Sequence, residues 1–121
     1  FRNTHNWLNS DTAKQTYQAM YKVLKSGGIL GVVQHRGRVH MIGKEWSKLG
    51  YVSEAELIQL AEQAGFKLAG KSEINANPKD MKNYEKGVWT LPPVYRLKDQ
   101  DRDRYTAIGE SDRMTLKFTK P

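Results

Sequence analysis

The sequence predicts an α/β domain on three observations. A helix ends in a Gly-Gly turn that runs straight into an uninterrupted apolar strand, a second helix is opened by a capping box and closed by glycine, and the last segment alternates apolar with polar residues. With 121 residues, 38% hydrophobic and 27% charged, the chain has the make-up of one globular domain or a large piece of one.

The first helix is expected from about Asp11 to Lys25, with Ser10 or Asp11 as its N-cap. Ala13, Tyr17, Met20, Tyr21 and Leu24 fall on one face, Lys22 and Lys25 complement the C-terminal dipole, and Gly27 can take the left-handed conformation that ends helices. Ile29-Leu30-Gly31-Val32-Val33 follows, too short for a helix and without the alternation of a half-wet strand. It reads as a strand covered on both faces, as parallel strands flanked by helices are.

From His35 to Val52 the pattern is looser, interrupted by Gly37, Gly43 and Gly50. Ser53-Glu54-Ala55-Glu56 is then a capping box, Leu57, Leu60, Ala61 and Ala64 form a buried stripe, and Gly65 marks the stop. Phe66, Leu68, Ser72 and Ile74 alternate with Lys67, Lys71 and Glu73, the pattern of an outer strand. Between Asn75 and Gly109 no period survives, and a stretch of that length is either functional, partly helical or mobile. The final strand is expected at Arg113 to Phe118.

Composition excludes several classes. No run approaches the roughly 20 apolar residues of a membrane span. With no cysteine there is no disulfide or thiolate metal site, and the compartment, cytoplasmic or exported, stays open. The net charge of +7 invites a nucleic-acid partner, yet the basic residues are interspersed with acids, as in Lys98-Asp99-Gln100-Asp101-Arg102-Asp103-Arg104, so none is expected. His5, His35 and His40 lack the i, i+4 spacing of a helical ligand pair, and no metal is expected.

Lys22-Val23-Leu24-Lys25-Ser26-Gly27-Gly28-Ile29-Leu30-Gly31-Val32-Val33 resembles the turn before the fifth strand of class I S-adenosylmethionine-dependent methyltransferases, with Ser26 where proline is usual. Glu62-Gln63-Ala64-Gly65-Phe66 resembles the link between that superfamily's fifth helix and sixth strand. Arg2-Asn3-Thr4-His5-Asn6-Trp7, Gln34-His35-Arg36 and Ile108-Gly109-Glu110-Ser111-Asp112-Arg113 are similar to a bacterial group of predicted methyltransferases. The resemblance implies that residues 1–121 are the C-terminal portion of one Rossmann-like methyltransferase domain, with helices on a mixed sheet that ends in an antiparallel strand pair. The glycine loop and ribose-binding acid would then lie upstream, since Gly27-Gly28 follows a helix and precedes a strand, the reverse of a cofactor loop. S-adenosylmethionine is accordingly expected to bind the longer protein and not this chain alone. The strand at Ile29 would expose an edge, to be covered by the missing N-terminal half or by another copy of the chain.

The same resemblance places residues 2 to 7 after the fourth strand and 34 to 36 after the fifth, at the edge where open α/β sheets carry their sites. His5 and His35 are the candidate catalytic residues, for proton acceptance or substrate hydrogen bonding. Arg2 and Asn3 are candidates for the cofactor, and Asn6, Trp7, Arg36 and Tyr51 for a small-molecule substrate. Each has a structural alternative: loop histidines are often satisfied by local hydrogen bonds, Asn3 and Asn6 suit turns, and Trp7 can pack on the following helix. Trp89, Pro92, Pro93 and Tyr95 can form a lid or simply pin a long loop. Other readings from different classes are a basic binding module for nucleic acid and a structural partner domain.

Overall fold

The computed structural model describes residues 2–121. Its elements run α1 (Thr4–Asn9), α2 (Ala13–Val23), β1 (Ile29–Gly37), α3 (Lys44–Ser47), β2 (Val52–Ser53), α4 (Glu54–Ala64), β3 (Lys67–Ser72), a 3₁₀ turn (Gly87–Thr90), α5 (Arg102–Ile108) and β4 (Arg113–Thr119). The α/β class is as the sequence predicts, and the four strands form one mixed sheet in the order β2-β1-β4-β3.

The chain's last strand is thus an inner one. β4 pairs antiparallel with β1 from Ile29↔Thr119 to His35↔Arg113 and antiparallel with β3 on its other side. Antiparallel register sets Val32 opposite Leu116, and Leu30 and Leu68 both opposite Phe118. Side chains of alternate residues share a face, so Val32, Met114, Leu116 and Phe118 form one apolar surface. Tyr17 of α2 and Leu57 and Ala61 of α4 close over it, and Phe66 completes this main core.

Local signals place α4 well. Ser53 is its N-cap, the hydroxyl accepting from the Glu56 amide at 3.1 Å, and Gly65 ends it in the left-handed region at φ 112°. At α2 the expectation needs correcting: the N-cap is Thr12, and neither Ser10 nor Asp11 caps the helix. The Ser10 hydroxyl instead donates to the Asn6 carbonyl of α1. The helix stops at Val23, and Gly27, at φ 82°, shapes the turn into β1, its amide donating to the Lys120 carbonyl.

β1 also differs from the expectation. It extends to Gly37 and is not covered on both faces, because Ile29 is 54% exposed and Gly31 is exposed. The helix-bearing face is the better covered one, with Val32 and Gln34 buried and Leu30 partly so. On the other, residues 75–112 cover the upper end, where Asn75 donates to the Thr115 hydroxyl and its carbonyl accepts from the Arg113 amide. β1's free edge pairs in parallel with β2 only at Arg36 and Gly37. The Arg2 amide donates to the Val33 carbonyl, and from Ile29 to Val32 no strand lies alongside among the described residues.

The aperiodic stretch is partly helical, with the 3₁₀ turn and α5 in it. Tyr84, Leu91 and Tyr105 make a core of its own, and Val88 joins Met41 and Tyr51 in another. Ile74 lies beyond β3 and is 82% exposed, so the outer strand is shorter than its alternation suggested. Among the described residues, no helix is long and apolar enough to cross a membrane.

Candidate functional site

His5 and His35 come together. His5 is on α1 rather than in a loop, His35 is near the carboxyl end of β1, and their ring centroids are 5.7 Å apart. Gln34 and His35 are consecutive in a strand and point to opposite faces. His5 reaches both, its Nδ1 lying 3.2 Å from the Gln34 amide nitrogen, so it sits across the strand's edge.

The two rings line a cavity of about 400 Å³, within the range of small-molecule sites. Arg2, Asn6, Glu110 and Ser111 lie on the same lining. Trp89, Pro92, Pro93 and Val94 supply the apolar side, and the Trp89 ring meets His5 edge-on with centroids 5.6 Å apart. Trp89 and the two prolines thus lie where a lid would, whereas Tyr95 stacks under the Arg102 guanidinium and bonds to Thr106.

Burial lowers the pKa of His5 from its ordinary value. His35 is pushed down to about 3, first by burial and then by the neighbouring His5, Arg2 and Arg113. Both rings are therefore neutral at pH 7. His35 Nδ1 lies 2.5 Å from the Ser111 hydroxyl. This is not a hydrolytic triad: among the described residues no carboxylate hydrogen-bonds either histidine, so nothing stands behind the ring to stabilise a charged imidazole.

The remaining candidates lie elsewhere. Asn3 and Trp7 line a separate recess of about 180 Å³ against Leu30, Gly31 and Val32, which Arg2 also borders. Trp7 packs edge-on against Tyr17, whose hydroxyl lies 2.9 Å from that of Thr4. Burial, only partly offset by that bond, pushes the Tyr17 hydroxyl up to about 12.

Arg36 does not reach the His5–His35 cavity. It meets Asp112 through two bonds of 2.9 and 3.0 Å, Glu73 at 2.8 Å and Glu54 at 3.4 Å. Tyr51 is buried and donates to Asp80 at 3.0 Å; burial and the Asp80 charge push its hydroxyl well above the usual range. Both belong to a network that straps residues 77–112 onto β1. Asp80 accepts from the Asp112 amide, and Asp112 accepts from Lys82 at 2.8 Å and from the Asn77 amide. Although burial works to raise it, Arg36, Lys82 and the Asn77 amide hold the Asp112 carboxyl down to about 2. By fixing Asp112, the network fixes Ser111 beside His35.

Ser111, Gln34 and Glu110 lie in segments that carry the family resemblance but are not among the site residues expected from the sequence. Ser111-Asp112 reads as turn chemistry when only its neighbours are considered, and Gln34 reads as one residue of a strand. Among the described residues no group of three or more His, Asp or Glu side chains forms a metal site.

No family model, no curated protein and no solved structure matches this chain.

Proposed function

We propose that the chain is the acceptor-side portion of a class I S-adenosylmethionine-dependent methyltransferase, with the His5–His35 cavity receiving the small molecule to be methylated. The observation that carries this reading is the meeting of those two histidines, from segments distant in sequence, in one cavity near the carboxyl end of β1. The mixed sheet with an antiparallel β3–β4 pair supports it, being the ending that the sequence resemblance implies.

The residues present do not form a site for the methyl donor. Arg2 and Asn3 border a largely apolar recess of about 180 Å³, below the size of ordinary cofactor pockets. Among the described residues, no glycine-rich turn leads from a strand into a helix: β1 reaches α3 through residues 38–43, where Gly43 is the single glycine, and β2 passes directly into α4 through Ser53-Glu54. The donor's pocket belongs to another part of the protein, whose place is the free edge of β1, or a second copy covers that edge. This chain's contribution is to hold the acceptor. His5, His35 and Asn6 orient it by hydrogen bonds, and Trp89 with Pro92 and Pro93 excludes water from one side.

Calorimetric titration with S-adenosylmethionine, on this chain and on a form extended upstream, tests the proposal. Binding by the extended form alone is expected. Binding by neither removes the reading. Salt-sensitive retention of this chain on a polyanion would favour a nucleic-acid module instead.

A further inference from the structure

We infer that the His5–His35 cavity is a receptor for the carboxylate of a small planar molecule, held by two neutral imidazole N–H donors. As an identification of the methyl acceptor it rests on the proposed function; as a binding site it does not.

The argument begins at Gln34, which is fully buried. Its amide nitrogen lies 3.0 Å from the Gly50 carbonyl oxygen and 3.2 Å from His5 Nδ1. A carbonyl oxygen only accepts, so the amide must present its NH₂ group there, and NH₂ only donates. Nδ1 of His5 is therefore an acceptor, and the ring's proton sits on Nε2. Turning the amide over would set two oxygens 3.0 Å apart. In either orientation the other end of the amide lacks a partner, as Gln34 Oε1 does here, so the Gly50 contact decides.

His35 is assigned by a similar count. Ser111 is buried, and its hydroxyl has no other hydrogen-bond partner among the described residues than His35 Nδ1. Donation to Nδ1 gives the Ser111 hydroxyl proton its one protein partner among the described residues, and this assignment again puts the ring proton on Nε2. Neither Nε2 has a protein partner, and neither is among the sealed polar atoms left without one. Both rings line the same cavity, which leaves it as the space for the two Nε2–H groups. The site thus offers two donors and no ring lone pair, which suits an acceptor group and not a base-catalysed reaction.

Charge selects among acceptors. Arg2 borders the cavity and has no carboxylate partner among the described residues. Glu110, the one acid on the lining, is half-exposed and 3.8 Å from the Arg113 guanidinium. One cation with two neutral donors suits a monoanion better than a dianion. The apolar wall made by Trp89, Pro92 and Pro93 suits a planar body. A carboxylate oxygen is already ionised at pH 7, so an acceptor of this class needs no base from the protein.

Long-range ¹H–¹⁵N NMR of the histidine rings reads both tautomers directly, and titration with benzoate, benzamide and inorganic phosphate reads the ligand class. The expected result is His5 and His35 both neutral and protonated on Nε2 at pH 7. Benzoate should give saturable shifts at both rings with Kd of about 1 mM, and benzamide should bind at least ~10-fold more weakly. A proton on Nδ1 of either ring, equal binding of benzamide, tighter binding of phosphate, or no saturable benzoate shift overturns the inference. No methyl donor is needed, so carboxylate binding stands or falls separately from methyl transfer.

Discussion

Replacing Asp112 with asparagine removes the charge on which the strap over β1 converges. The carboxylate accepts two bonds from Arg36, one from Lys82 and one from the Asn77 amide, and its side chain is 8% exposed against 11% for Lys82. Its pKa falls from 3.8 to about 2 on folding, which corresponds to roughly 2–3 kcal/mol. Because the folded pKa is the lower one, this stability is fully present above about pH 5 and is lost as the pH falls through 4 toward 2. The variant also leaves Lys82 charged and nearly buried without its partner, so the expected loss at pH 7 is about 2–4 kcal/mol. Urea unfolding followed by tryptophan fluorescence at pH 7 and at pH 2.5 measures it, and the gap between the two proteins should narrow sharply at the lower pH. A loss under about 0.5 kcal/mol at pH 7, or a gap unchanged at pH 2.5, would refute the reasoning.

Ser53→Ala, which removes the side-chain acceptor that caps the start of α4, should cost about 1 kcal/mol in the same unfolding assay. Phe118→Ala opens the face where Leu30 and Leu68 meet and is expected to cost about 3–5 kcal/mol, with the midpoint shifted and the denaturant slope retained.

The residues that announced their structure in the sequence are those whose partners lie within a turn or two along the chain. Ser53 caps α4 because Glu56 is three residues on, Gly65 ends it because the left-handed region favours glycine, and Tyr17 faces the core because it lies on α2's apolar stripe. His5 and His35 came forward differently, as titratable side chains in the two segments that the family resemblance puts at the sheet's site-bearing edge. What distant contacts decide was not legible in this way. Arg36 and His35 are adjacent in β1, yet strand alternation sends one to the Asp112–Glu73 ion pairs and the other to Ser111 and the cavity. Tyr51 lies under the strap with Asp80, and Ile29, the start of a wholly apolar run, is more than half exposed.

The succession of α2, β1, α4, β3 and β4 and both ends of α4 were therefore properties of the sequence itself, because capping and periodicity act over a few residues. Tertiary structure alone decided that the last strand lies inside the sheet, that Ser111 stands beside His35, and that Gln34 orients His5. Those outcomes follow from strand register and from satisfying buried polar groups, which depend on residues far apart in the chain.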